Sequence, residues 1–186
     1  NFAPVALGTT DARVMIRRVG TATGERLERS GDGGASWSGA SAGLPEPLFF
    51  YHVVPHPRDG NRFWAATTEG LYRSDDGGAS WTRAWFEGED HDATSLGLDP
   101  TDPETVLLLA REAGAPPDSD GSRYFSSRDG GATWSLLGGP LLPFLPRLLT
   151  GDPHHPGTFV TVSSIGQPWS LTLPSPSTCA PDATTH

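Results

Sequence analysis

Carboxylates stand in two settings of this sequence where they could do chemistry. The first is a loop, Arg73-Ser-Asp-Asp-Gly-Gly-Ala-Ser-Trp81, with two acids side by side ahead of two glycines, the make-up of a loop that wraps a cation. The second is the run Phe86-Glu-Gly-Glu-Asp-His-Asp-Ala93, where Glu87, Glu89, Asp90 and Asp92 crowd around His91. Two carboxyl groups held across a sugar ring can hydrolyse a glycosidic bond, one as acid and the other as base or nucleophile. Glu89, Asp90 and Asp92 are the candidates for that role, against the competing reading of a solvated acidic loop. Asp90, His91 and Asp92 could also be offered to a metal, but three consecutive loop residues make a poor ligand set.

The first loop recurs, and its copies separate required positions from free ones. Ser30, Asp32, Gly34 and Trp37 correspond to Ser74, Asp76, Gly78 and Trp81, and again to Ser127, Asp129, Gly131 and Trp134. The residue before the shared aspartate is Gly31, Asp75 or Arg128. Only one acid recurs, so the pattern lacks the oxygen ligands a calcium loop needs. Its parts suit a tight turn instead. Ser and Asp side chains accept backbone N–H bonds, glycine supplies positive φ, and the tryptophan gives the hairpin a large ring to pack. No metal and no cofactor are expected.

The pattern Ser-x-Asp-x-Gly-x-Ser/Thr-Trp resembles the Asp-box, or BNR, repeat, and all three copies match it throughout. Asp-boxes occur in sialidases, xyloglucanase-type glycosidases, sortilin-like receptors and photosystem assembly factors. The resemblance implies an all-β β-propeller of four-stranded antiparallel blades, with the box joining the third and fourth strands of each.

The box tryptophans are 44 and 53 residues apart, a period that fits one propeller blade. Blade 1 is expected over residues 1–43, blade 2 over 44–92, blade 3 over 93–144 and an incomplete blade 4 over 145–173, with 174–186 read as a disordered tail. Blade 2 is the clearest: strands at 48–57, 62–68 and the stretch from Leu71, then the box, then a fourth strand from Ser80. About three and a half blades are therefore expected, either a small ring or part of a larger one. In such a zigzag the boxes lie on one face of the disc. The inter-blade linkers and the loops between second and third strands lie on the other, which is the substrate face of the enzymes this chain resembles.

That second face gathers the acidic run together with Glu46, Glu69, Glu112, Asp118 and Asp120. Trp64, Trp85 and Phe86 are candidate stacking platforms, with core packing the stronger reading for Trp64. A sialidase-like site would need an arginine trio, for which Arg18, Arg111 and Arg147 are the candidates. It would also need a tyrosine–glutamate pair, and Tyr51, Tyr72 and Tyr124 show no glutamate partner in the sequence. The Phe-Arg-Ile-Pro signature of many sialidases is absent.

Composition agrees with a turn-rich β protein, with 23 glycines and 18 prolines in 186 residues. The net charge of −9, carried with arginine and no lysine, argues against nucleic acid as a partner. No apolar run is long enough to cross a membrane. Cys179 is the lone cysteine. A secreted or periplasmic location is expected for a chain that opens on Asn1 with no leader in view. The expected function is a non-catalytic scaffold that binds a protein or carbohydrate. The alternatives are part of a sialidase-like or xyloglucanase-like hydrolase, and an assembly factor for a larger complex.

Overall fold

Strand length and patterning follow from which faces of each sheet are covered. Phe63–Thr67 and Val106–Glu112 open on runs with no polar alternation, Phe-Trp-Ala-Ala-Thr and Val-Leu-Leu-Leu-Ala, and every side chain in those runs is buried. Such a strand must lie in a sheet packed on both faces. Thr158–Val162 alternates instead, as a strand covered on one side does, and Met15–Gly20 buries Ile16 alone. In the computed structural model, which describes residues 5–85, 91–112, 122–137, 149–162 and 166–174, the first pair lies in inner sheets and the second pair in outer ones.

Four antiparallel sheets follow one another along the chain. Sheet 1 contains β1 (Val5–Leu7), β2 (Met15–Gly20), β3 (Glu25–Ser30) and β4 (Ser38–Gly39). Sheet 2 contains β5 (Phe50–Pro55), β6 (Phe63–Thr67), β7 (Gly70–Ser74) and β8 (Thr82–Trp85). Sheet 3 contains β9 (His91–Leu98), β10 (Val106–Glu112), β11 (Ser122–Ser127) and β12 (Ser135–Leu137). Sheet 4 has three strands among the described residues, β13 (Leu149–Gly151), β14 (Thr158–Val162) and β15 (Pro168–Thr172). Each box joins the third and fourth strands of its sheet. This is a partial β-propeller.

Three apolar cores lie in the three gaps between consecutive sheets. Ile16, Leu27 and Leu48 meet Phe50, Phe63, Tyr72 and Trp81 between sheets 1 and 2. Trp64, Leu71 and Trp85 meet Leu96, Leu108 and Phe125 between sheets 2 and 3. Leu107, Leu109 and Tyr124 meet Leu149, Phe159 and Leu173 between sheets 3 and 4. Among the described residues no core joins sheet 4 back to sheet 1, so the sheets form an open arc. The first strands adjoin one another along its axis. There β5, β9 and β13 enclose an apolar groove of about 480 Å³ lined by Val54, Leu96, Leu98 and Leu149.

The boxes close their turns in the same way each time. In the second, the Ser74 hydroxyl donates to Asp76 Oδ1 at 2.7 Å and accepts the Gly78 N–H at 2.8 Å. Asp76 Oδ1 takes the Ser80 N–H at 2.9 Å and Oδ2 the Ser80 hydroxyl at 2.6 Å. Ser30 and Asp32 bond Gly34 and Ser36, and Ser127 and Asp129 bond Gly131 and Thr133, with the same pairings. Both glycines of every box have positive φ, between 66° and 89°. The first glycine N–H of each box bonds the turn between the first two strands of its own sheet, at Arg13, Asn61 or Glu104. Boxes and first turns therefore share one end of sheets 1, 2 and 3, the lower face.

The lower face also ties sheet to sheet. The Trp81 indole donates to Ala40 O of sheet 1 at 2.9 Å, and the Trp134 indole to Ala84 O of sheet 2 at 3.0 Å. Arg29, just before the first box serine, donates to Gly77 O of the second box. Arg73, just before the second, donates to Gly130 O of the third. Gly78 backs onto Ile16 of sheet 1 and Gly131 onto Trp64 of sheet 2. The boxes are thus wedges between neighbouring blades as well as turns.

Candidate functional site

Both oxygens of each box carboxylate already accept hydrogen bonds from the box itself. Donors crowding an ionised carboxylate lower its pKa. For Asp129 the Thr133 hydroxyl is foremost among them and holds the group down to about 2. At Asp76 burial pushes upward, but the bonds from Ser80 and Ser74 outweigh it and the group again sits at about 2. Asp32 is lowered as well, chiefly by the Ser36 hydroxyl. Asp75, the second acid of the opening loop, lies between Arg62 at 3.0 Å and Arg73 at 2.8 Å. No group of three His, Cys, Asp or Glu side chains among the described residues could hold a metal ion.

The opposite, upper rim has a different character at the junction of sheets 2 and 3. β5 begins there and β9 enters there, so their first residues face each other across the blade gap. The Tyr51 hydroxyl of β5 donates to Asp92 Oδ2 of β9 at 2.5 Å. Burial, then the bond to the Asp92 carboxylate, pushes the Tyr51 phenol up to about 12, so it stays a neutral donor at any physiological pH. Register pairs Arg111 with Asp92 and Glu112 with His91 across β9 and β10. His91 Nδ1 is buried with no hydrogen-bond partner among the described residues. Beside this cluster Phe49 is 53% exposed and Tyr51 39%, unusual exposure for large rings in so small a fold. The arrangement leaves two aromatic side chains accessible at the rim where the Tyr51–Asp92 donor–acceptor pair lies.

Residues 25–139, more than half of the chain and all three boxes, match the Sortilin-Vps10 family (Sortilin, neurotensin receptor 3). The chain belongs to the Sortilin-Vps10 family. No curated protein sequence matches it. Among solved structures it is similar to an ancestral GH74 enzyme, with TM-score 0.65, 18% identity, and coverage of 90% of this chain and 27% of the other. The GH74 enzyme of Niastella koreensis gives TM-score 0.55 at 18% identity, covering 91% of this chain and 30% of that one. YCF48 bound to D1 peptide gives TM-score 0.55 at 18% identity, covering 86% and 47%. The likeness is one of fold, and this Sortilin-Vps10 chain spans less than half the length of each of these structures.

Several residues singled out in the sequence take other places in this Sortilin-Vps10 fold. Glu87, Glu89, Asp90 and Phe86, together with Asp118, Asp120, Arg147 and nearly all of the 174–186 tail, lie outside the described residues. Asp92 and His91 are not loop residues: β9 begins at His91, and both are paired to β10. The cause is the strand-like alternation of His-Asp-Ala-Thr-Ser-Leu-Gly-Leu, which extends the strand past the acids that suggested a loop. Trp85 is no stacking platform, because it is buried against Phe125 with ring centroids 4.9 Å apart. Trp64 is fully buried. Arg18 is committed to the blade junction, donating to Phe50 O, while Glu25 accepts the Phe50 N–H at 2.8 Å. Tyr72 receives Arg83 on its hydroxyl at 2.8 Å. The carboxylate partner of Tyr51 was missed because it is an aspartate 41 residues away. Only the stacking of β5 beside β9 brings the two together.

Proposed function

We propose that this chain is a non-catalytic Asp-box propeller module that binds a carbohydrate or peptide at the upper rim of the second and third sheets. The observation that carries the reading is the Tyr51–Asp92 bond beside the exposed ring of Phe49. A carboxylate oriented by a phenol is a good acceptor for ligand hydroxyl or amide groups. General acid catalysis on a sugar needs a protonated carboxyl at a fixed distance from a second one, roughly 5–10 Å away. The alternative, part of a glycoside hydrolase, draws support from the fold shared with GH74 enzymes and would rest on Asp92 with Glu89 or Asp90. A role as an assembly factor differs from the first reading only in the partner bound. A secreted or periplasmic site of action remains part of the proposal.

The test is calorimetric titration of the chain with xyloglucan oligosaccharides, sialyllactose and a random-sequence peptide pool, alongside product analysis. Binding that weakens in Tyr51→Ala and Phe49→Ala, with no product released, supports the module. Turnover that disappears in Asp92→Asn replaces it with the hydrolase.

A further inference from the structure

The ladder between the first two strands of sheet 2 breaks step at Tyr51. Phe50 pairs with Thr67 and His52 with Ala66, so Tyr51 is an extra residue in β5. Phe50 and Val53 both pack into the core between sheets 1 and 2, which strict alternation along a strand forbids. In sheets 1 and 4 the first two strands pair without a break. A bulge of this kind re-aims side chains at the expense of a regular ladder. Here the Tyr51 phenol crosses the blade gap to Asp92, while its ring and that of Phe49 stay open to solvent.

Charge separates this rim from the lower face. On the lower face every described carboxylate accepts a hydrogen bond: Asp11 from Arg13, Asp59 from the Asn61 N–H, Asp75 and Glu104 from Arg62, and the box and turn aspartates likewise. At the upper rim the carboxylates of Glu46, Glu69 and Glu112 have neither a hydrogen bond nor an ion pair among the described residues. Glu46 lies just before Phe49 in the chain, and Glu69 follows Thr68, whose N–H donates to Phe49 O at 3.1 Å. Glu112 pairs with His91, beside Asp92. The arginines of the rim are engaged: Arg18 donates to Phe50 O, and Arg111 and Arg123 have partners of their own. The two connections that join strands at this rim, residues 86–90 and 113–121, add three acids and two, and no base.

Uncompensated carboxylates gathered on one rim repel each other and attract a cation. The faces of exposed aromatic rings attract the same kind of group. We infer that the rim around Phe49 and Tyr51 is a docking surface for a cationic peptide, with an arginine or lysine side chain laid over the rings and its charge toward Glu69 and Glu112. Arginine suits it better, since a planar guanidinium stacks on a ring while donating to carboxylates at its edge. The acids are spread from Glu69 on sheet 2 to Glu112 on sheet 3, which fits an extended chain with several cations rather than one small ion. The inference rests on the rim being the binding site proposed above, and it names the partner. A neutral sugar stacks on the rings but leaves the charge of the rim uncompensated.

The test is calorimetric titration of the whole chain with a repeating Arg-Gly peptide, the same peptide with citrulline for arginine, and a xyloglucan oligosaccharide. The Arg-Gly peptide binds, and the citrulline peptide, neutral but of the same shape, binds about tenfold more weakly. Raising the salt from about 0.05 to about 0.5 M weakens the Arg-Gly peptide severalfold, because exposed charges are screened. Glu69→Gln with Glu112→Gln weakens it about five- to tenfold, and Phe49→Ala weakens it too. Asp11→Asn with Asp59→Asn removes the same charge from the lower face, a strand length away, and changes the affinity less than about twofold. Equal binding of the arginine and citrulline peptides overturns the inference, and so does an equal loss in the two double variants. An oligosaccharide that binds and weakens in Phe49→Ala, with no binding of the Arg-Gly peptide, also overturns it but leaves the rim a binding site. If no probe responds to Phe49→Ala, the rim reading and the inference fall together.

Discussion

The wedge role of the box predicts that equivalent glycines differ in how much a methyl group costs. Gly34 and Gly131 are the second glycines of the first and third boxes, at φ of 89° and 87°. Substituting alanine carries the same backbone strain at both, about 1–2 kcal/mol for an L-residue in the left-handed region. The surroundings differ. A Cβ on Gly131 would lie 2.6 Å from Trp64 Cη2 and 3.2 Å from Cζ3, against a ring that is fully buried and has no space to retreat. A Cβ on Gly34 meets nothing nearer than Met15 Sδ at 3.5 Å, since among the described residues no preceding blade packs against it. Overpacking of a filled core adds about 1–3 kcal/mol, and only at Gly131. Gly34→Ala should therefore cost about 1–2 kcal/mol and Gly131→Ala about 2–5 kcal/mol. Gly78→Ala falls between, since the atom it meets is the terminal methyl of Ile16, which can rotate. Urea unfolding followed by far-ultraviolet circular dichroism measures all three. If Gly34→Ala is as damaging as Gly131→Ala, the glycine pair serves the local turn alone and the wedge argument fails.

Other outcomes follow from the same geometry. Asp76 and Asp129 have folded pKa values of about 2, below the unfolded range, so they favour folding above about pH 4 and that contribution is lost as pH falls toward 2. The melting temperature should fall as pH drops below about 4, less steeply in Asp76→Asn. With three tyrosines in the chain, ultraviolet titration should show one ionising near pH 12, and Asp92→Asn should bring it down toward the ordinary value near 10. Arg73→Ala removes the 2.7 Å bond to Gly130 O and should cost about 1–3 kcal/mol, read by the same urea titration. Because the box carboxylates are filled by box donors, adding calcium or a chelator should leave the melting temperature unchanged in a thermal scan.

Much of the fold could be read from the sequence because its strongest signal is repeated and local. Ser74, Asp76 and Gly78 act within five residues of one another, so one copy shows the turn and three copies show the repeat. The same locality explains what the sequence hid. Arg29 and Arg73 look like surface charge beside a strand end, yet each reaches the next box 48 or 57 residues away. In blade 3 the equivalent residue is Ser126, and sheet 4 has no box to receive an arginine, a covariation that could have exposed the link. Rim residues were harder to place. Tyr51 and Asp92 carry no shared motif, and the tryptophans that looked like platforms proved to be core. An aromatic ring in a strand reads alike whether its side faces a neighbouring blade or solvent, and only the packing of sheet on sheet distinguishes Trp85 from Phe49.

The two faces of the arc divide the work between them, and the division bears on where function resides. On the lower face, box to turn and blade to blade, the bonds repeat: Arg29 to Gly77, Arg73 to Gly130, Thr10 to Gly60, Arg58 to Pro100 and Thr101, and Gly157 to Asp99. Each of these involves a backbone group, and the Arg62 guanidinium adds a side-chain bond to Glu104 at 2.7 Å, so the face fixes the angle between blades. Among the described residues of the upper rim, cross-blade hydrogen bonds are made by Arg18 and Glu25 to Phe50 and by Tyr51 to Asp92. The first two again use backbone and set geometry. Tyr51–Asp92 joins two side chains that could change without disturbing the ladder, and it stands beside an exposed ring. A fold held from below leaves its upper rim free to specialise, which is the reason for proposing the ligand site at the Tyr51–Asp92 pair.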